Sequence, residues 1–115
     1  MADEDWRAFQ LADEIRKQIE SGRPYNEFLR STSMSCGIYS LPAGSKDLQS
    51  PHDEDEVYYV VKGRARLRIE DREVQAEPGT LLYVRATSEH SFIEIEEDVT
   101  LLVFFASGGP SSGDA

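Results

Sequence analysis

The chain has 115 residues, which is enough for one domain with a core but too short for a separate cofactor-binding domain. Its formal net charge is −10 and its basic residues are scattered, so neither nucleic acid nor a membrane surface is an expected partner. No apolar run approaches the ~18 residues needed to span a bilayer, and the charged start is unlike a secretory leader. Cys36 is the only cysteine and cannot form an intrachain disulfide. These features predict a cytoplasmic protein with its chemistry in one cavity.

The first predicted element is a helix over residues 5–20. Asp5 is its predicted N-cap, and Ser21 and Gly22 end it ahead of a proline. Apolar side chains recur at helical steps of three and four: Ala8, Leu11, Ala12, Ile15 and Ile19. We expect this helix to pack across the outside of the following domain or on a partner subunit. Residues 1–30 are therefore assigned to a helix and a connector.

From Ser33 onward, short strands separated by turn residues replace the helical pattern. Gly63 is predicted to close one strand, and Glu77-Pro78-Gly79 suits a type II turn with a positive φ at the glycine. Strands are predicted over residues 33–41, 57–61, 64–69, 73–76, 80–84, 90–95 and 99–106. Without helices between them, these strands predict an antiparallel sandwich or closed barrel over residues 31–106. The polar tail, residues 107–115, is expected to be disordered.

One predicted strand alternates strictly between apolar and basic side chains. Ala65, Leu67 and Ile69 share one face, and Arg64, Arg66 and Arg68 share the other. Glu73 and Gln75 on the next strand are placed to face the arginines across a hairpin. The arginines are therefore interpreted as a solvated, charge-paired face rather than an anion site.

Three residues carry the candidate chemistry. The only histidines, His52 and His90, each lie at the mouth of a predicted strand, and Glu56 is in phase with His52 if the segment between them is extended. Two imidazoles and one carboxylate on converging strands form a facial metal site whose remaining positions are open to water, substrate or dioxygen. The alternative is structural, because a histidine near a strand end is often only hydrogen-bonded and an acidic run is often a solvated turn.

The spacing of these residues resembles the two motifs of the cupin superfamily. The first runs through Ser50, His52, Glu56 and Gly63, and the second through Gly79, the segment 85–87 and His90. The similarity spans roughly residues 38–105. It implies an all-β double-stranded β-helix, or jelly roll, with the predicted helix as an N-terminal addition and frequent pairing into homodimers. It also implies one divalent metal ion per chain inside the barrel, with Fe2+ favoured and Mn2+, Ni2+, Cu2+, Co2+ or Zn2+ admissible.

The sequence departs from the family pattern at both motifs. Ser50 replaces the first histidine, so the predicted ligands are His52, Glu56 and His90, with Gln49 or Ser50 as a weak or water-mediated fourth. Arg85 and Thr87 replace a proline and a glycine, which leaves the geometry of the loop before His90 open. Arg85 is interpreted as a salt-bridged rim residue, or as a clamp for an acidic substrate group.

Strand alternation predicts part of the pocket wall. If Glu56 points inward, so do Tyr58 and Val60, and if His90 points inward, so does Phe92. Tyr58 either offers its hydroxyl to a ligand or only fills the barrel. On the first predicted strand, Met34, Cys36 and Ile38 share one face, Ser35, Gly37 and Tyr39 share the other, and the pattern does not decide which face lies inside. A small buried side chain is the expected role of Cys36, and a position facing the cavity is the alternative.

Three functions follow from these patterns. The first is a mononuclear metalloenzyme of the dioxygenase type that acts on a small molecule, with a redox-neutral lyase or isomerase as a related version. The second is a metal-dependent domain that binds or senses a metabolite without transforming it. The third, a metal-free scaffold, is disfavoured because such a barrel has no need to aim imidazoles into its core. The sequence identifies no catalytic residue beyond the ligands.

Overall fold

The structure, a computed structural model, describes residues 5–47 and 52–106. Within these ranges, one helix, α1 (Leu11–Ser21), precedes six strands. The strands are β1 (Tyr25–Arg30), β2 (Met34–Leu41), β3 (Asp55–Ile69), β4 (Arg72–Ala76), β5 (Leu81–Val84) and β6 (His90–Ala106). Every pairing among them is antiparallel, in the order β1-β2-β6-β3-β4, with β5 on the other part of β3. The predicted disorder of residues 107–115 concerns residues outside the described ranges.

The helix begins later than predicted and turns a different face inward. Its N-cap is Gln10, not Asp5, because Phe9 lies outside the helix and packs edge-on against Phe28 of β1, with ring centroids 4.9 Å apart. The predicted C-terminus is confirmed, since Gly22 adopts φ +71 and its N–H bonds back to the helix. α1 packs on β1 and β2 through its polar residues Glu14 and Gln18, whereas Ile19 is 65% exposed. In the described chain, α1 is too short and too polar to cross a bilayer.

Strand β1 was not predicted, because its side chains do not alternate. A bulge between Glu27 and Leu29 interrupts its pairing with β2, so inward and outward positions shift partway along the strand. The segment assigned to a connector therefore adds an edge strand. This strand supplies one wall of the site described below.

Two strands are longer than predicted. β3 runs through Gly63 where a strand end was expected, and β6 joins the two strands predicted over residues 90–95 and 99–106. Both strands bend in their middle, where three irregularities interrupt their pairing. Gly63 makes the bend possible, because it adopts φ +94 and a Cβ there would clash with the carbonyl oxygen of Asp98.

The core lies between the folded halves of the sheet. Tyr58, Val60, Leu67, Val99 and Leu101 are fully buried. The prediction for the alternating strand is confirmed, since Ala65 and Leu67 are buried while the arginines face outward.

Ion pairs cover the outer arginine face. Arg64 contacts Glu96 at 3.0 Å, and Arg66 contacts Glu94 at 3.3 Å and Glu73 at 3.8 Å. The predicted turn after β4 is also confirmed, with Gly79 at φ +94 and Thr80 N–H bonded to the Glu77 carbonyl.

Candidate metal centre

The three predicted ligands come together at one end of the fold. Glu56 lies near the start of β3, His90 begins β6, and His52 lies on the segment that enters β3. One ligand atom from each lies within 4.8 Å of the other two. The side chains of Glu56 and His90 are almost completely buried, and His52 is half-buried.

Glu56 is the most informative member of this group. Both of its carboxylate oxygens are buried, and neither has a hydrogen-bond partner among the described residues. The Nε2 atom of His90 lies 3.2 Å from Oε1, close enough for attraction but without hydrogen-bond alignment. A buried carboxylate without hydrogen bonds is costly unless a cation lies beside it. The residues present therefore fit a metal ion.

Hydrogen bonds fix the orientation of the His90 ring. Its Nδ1 lies 2.9 Å from the carbonyl oxygen of Ser88, which can only accept, so Nδ1 carries the proton. In the neutral ring Nε2 then holds the lone pair, and it lies 3.1 Å from the hydroxyl of Tyr58. Burial opposes a charge on His90, but Glu56, the Ser88 carbonyl and Asp47 outweigh it, and the pKa of His90 is raised. A backbone carbonyl on the far nitrogen is the usual support for a ligating histidine.

The loop before His90 also holds His52. The Thr87 N–H donates to the His52 carbonyl at 2.7 Å, and the His52 ring packs edge-on against Phe105 with centroids 5.0 Å apart. Thr87 adopts φ +69, the conformation that the family's glycine would take without steric cost. The departure at this position therefore keeps the loop geometry, with backbone strain as its cost.

A cavity of about 320 Å³ is lined by two of the three proposed ligands, His52 and Glu56. Sequence reasoning found only His52, Glu56 and Tyr58 among its wall residues. The others are Tyr25, Glu27, Arg30, Ser35, Tyr39, Glu54, Val103 and Phe105. Ser35 and Tyr39 show which face of β2 lies inside, a question that alternation left open. The residues from β1 were missed with the strand itself, since its bulge removes the period-2 signal.

The other predicted pocket residues lie in different surroundings. Phe92 is buried behind Tyr58, with ring centroids 5.0 Å apart, and is absent from the cavity wall formed by the described residues. Arg85 is exposed beyond β5 and does not line that described wall either. Gln49 and Ser50, the proposed fourth ligands, lie outside the described residues.

Two further residues near the cavity are buried. Asp47 accepts hydrogen bonds from the Tyr39 hydroxyl at 2.7 Å and from the Phe92 N–H at 2.8 Å, which joins β2 to β6. Cys36 is buried on the other face of β2, and burial raises the pKa of its thiol to about 11. The predicted small buried role of Cys36 is confirmed. The role of Asp47 had no sequence signal, because its two partners are distant in the chain.

Comparison with known proteins agrees with this architecture. Residues 37–105 match the cupin domain family. The chain belongs to the cupin family. It is 40% identical over 100 residues to the uncharacterised protein SCO3923 of Streptomyces coelicolor, covering 87% of this chain and 95% of that protein.

Several solved structures share the fold. TT1209 from Thermus thermophilus superposes with a TM-score of 0.68 at 22% identity, covering 87% of this chain and 96% of that one. The DMSP lyase DddQ from Ruegeria pomeroyi gives 0.65 at 17% identity, covering 80% of this chain and 50% of that one. The predicted all-β cupin fold with one helix is confirmed, although the described strands form an open sheet rather than a closed barrel.

Proposed function

We propose that this cupin binds one divalent metal ion through His52, Glu56 and His90 and that it is a small metalloenzyme of the dioxygenase type. The observation that carries the proposal is the buried Glu56 carboxylate, whose oxygens have no hydrogen-bond partner among the described residues and lie beside two imidazoles. A bound ion would act as a Lewis acid or redox centre with positions open to a substrate. Fe2+ is the favoured ion for this ligand set, and Mn2+, Ni2+, Cu2+ and Zn2+ are admissible.

The cavity supports a small-molecule substrate. Its volume of about 320 Å³ is at the lower end of the range for ligand pockets. Carboxylates outnumber cations on its wall, and the one arginine, Arg30, is held by Glu27 through two hydrogen bonds of 2.8 and 2.9 Å. This wall disfavours a highly charged anion and favours a small molecule with polar oxygens.

A redox-neutral reaction is the second candidate. Three tyrosines, Tyr25, Tyr39 and Tyr58, line the cavity, and the Tyr25 hydroxyl, which has no hydrogen-bond partner among the described residues, can donate to a polarised substrate oxygen. One structural relative, the DMSP lyase DddQ, is named for a reaction of this class. A binding or sensor function is the remaining candidate from a different class.

The test begins with the metal. Protein purified without a tag or chelator should contain about one ion per chain, and His52→Ala, Glu56→Ala and His90→Ala should each lose it. Glu54→Gln is the matched control, since Glu54 is a half-buried acid on the same segment and lines the cavity without joining the cluster. Unchanged metal content in all three ligand variants would refute the site.

The reaction class needs a second test. Loaded protein and the metal-free Glu56→Ala variant should be screened against small 2-oxo acids, 2-hydroxy acids and thiols, with and without dioxygen. Turnover that consumes oxygen supports the dioxygenase. Turnover that is the same without oxygen supports the lyase or isomerase, and saturable binding without turnover supports the sensor.

We also propose a homodimer, since the outer face of the sheet is apolar around β5. Leu81 and Tyr83 of β5 are 68% and 58% exposed, and they pair with Tyr59 and Val57 of β3. Leu81→Arg should lower the mass measured by light scattering from dimer to monomer, while Val74→Arg, at an exposed position on β4, should not. The proposed location is the cytoplasm, from the composition and the single cysteine.

A further inference from the structure

A single turn makes hydrogen bonds at or next to all three proposed ligands. The turn covers residues 85–88 and is closed by a hydrogen bond from the Ser88 N–H to the Arg85 carbonyl at 3.1 Å. Its Thr87 N–H bonds to the carbonyl of His52, and its Ser88 carbonyl accepts from the ring of His90. The third contact reaches the start of β3, where Asp55 directly precedes Glu56.

Asp55 supplies that third contact through its side chain. Its Oδ1 accepts a hydrogen bond from the Ala86 N–H at 2.8 Å. Along β3, the side chains of Asp55 and Glu56 point to opposite faces, so Asp55 is exposed while Glu56 faces inward. Asp55 is not a member of the ligand cluster, and its hydrogen bond to Ala86 connects its carboxylate to the turn.

We propose that the turn at residues 85–88 is a clamp that sets the spacing of the metal ligands, and that Asp55 is its positioning residue. The inference rests on the proposed metal site. Thr87 adopts the left-handed conformation within this clamp. The Ala86 and Thr87 N–H groups bond to the segment of residues 52–55 that enters β3, and the Ser88 carbonyl accepts from the His90 ring at the start of β6. Groups that orient ligands in this way commonly change metal affinity about 10- to 100-fold when they are removed.

The fold contains a matched control for Asp55. Asp98 also accepts a backbone hydrogen bond of 2.8 Å through Oδ1, from Ala43, in a part of the chain without proposed ligands. Both acceptors are acidic, and both hydrogen bonds are exposed and join segments distant in sequence. A general loss of stability or of negative charge should therefore be similar in Asp55→Ala and Asp98→Ala.

The experiment titrates cobalt(II) into chelator-treated wild type, Asp55→Ala, Asp55→Asn and Asp98→Ala, and follows the visible absorption of the bound ion. We expect Asp55→Ala to weaken cobalt binding about 10- to 100-fold and to change the absorption spectrum, while Asp98→Ala matches the wild type. Asp55→Asn should restore most of the affinity, because its amide oxygen can still accept from Ala86. Urea unfolding of the metal-free proteins should show similar losses in the two alanine variants.

Two results would overturn the two proposals separately. If the wild type binds cobalt and Asp55→Ala binds it with the same affinity and spectrum as Asp98→Ala, the clamp is refuted and the metal site stands. If the wild type itself takes up no cobalt, the proposed metal site is refuted, and the clamp fails with it. If Asp55→Asn binds cobalt as weakly as Asp55→Ala, the loss of affinity comes from the lost negative charge. That result would also refute the clamp.

Discussion

The two ends of the fold use the same kind of contact, but only the site end adds a buried carboxylate that lacks hydrogen bonds among the described residues. The site end contains His52, Asp55, Thr87 and His90, and the bend end contains Ala43, Gly44, Gly63 and Asp98. At each end an exposed aspartate accepts one backbone N–H at 2.8 Å. Positive φ angles occur at both ends, at Gly44, Gly63 and Glu94 near the bend and at Thr87 beside the site.

We interpret the bend end as a structural element and the site end as a functional one. Glycine takes a positive φ without steric cost, so Gly44 and Gly63 add little strain to the bend. The site end combines a strained threonine with a buried carboxylate that lacks hydrogen bonds among the described residues. Unfavourable local features of this kind concentrate at functional sites, because the surrounding structure holds them in place.

The largest expected effect is at the bend end. Gly63→Ala should destabilise the protein by about 3 kcal/mol or more, because a Cβ would clash with the Asp98 carbonyl and the residue would keep a positive φ. Gly44→Ala is the control, since Gly44 has φ +76 but no atom within 4 Å of an added Cβ, and it should cost about 1 kcal/mol. Urea unfolding measures both, and equal losses would show that the close approach at Gly63 is unimportant.

A second comparison concerns two tyrosines of the cavity. Tyr39→Phe should cost about 1–3 kcal/mol, because it leaves the buried Asp47 without one of its donors. Tyr25→Phe should leave the stability unchanged or raise it, because the Tyr25 hydroxyl is buried without a hydrogen-bond partner among the described residues. A loss in Tyr25→Phe as large as that in Tyr39→Phe, measured by urea unfolding, would contradict this interpretation.

The smallest expected effect is at the site end. Thr87→Gly should stabilise the protein by about 1 kcal/mol, because it removes the strain of the left-handed conformation and keeps the N–H that bonds to His52. Cobalt affinity should be unchanged. Differential scanning calorimetry of the metal-free variant checks the sign, and a lower melting temperature than that of the wild type would show that Thr87 is not strained.

Sequence patterns predicted those features that depend on regular alternation or on spacing. The strand containing Leu67, its charge-paired outer face and the turn at Gly79 all follow from the residues themselves. The meeting of His52, Glu56 and His90 also agrees with the motif spacing. These features need only the local chain or a register that the family pattern already fixes.

The features that were missed depend on contacts between distant segments. β1 escaped detection because its bulge breaks alternation, and the helix start was misplaced because Phe9 packs on Phe28 instead of entering the helix. Alternation could not decide which face of β2 lines the cavity, so Tyr39 was not assigned. The clamp contact of Asp55 joins residues 31 positions apart and has no local signal.

The most direct test of the metal site is Glu56→Gln, which removes the charge of the carboxylate and keeps its size. In chelator-treated protein at pH 8, we expect Glu56→Gln to be more stable than the wild type by about 1 kcal/mol, because a buried charge without hydrogen bonds is removed. With cobalt(II) added, only the wild type should gain stability. If Glu56→Gln is instead less stable without metal, or gains as much stability from cobalt as the wild type, then the Glu56 carboxylate is not a metal ligand.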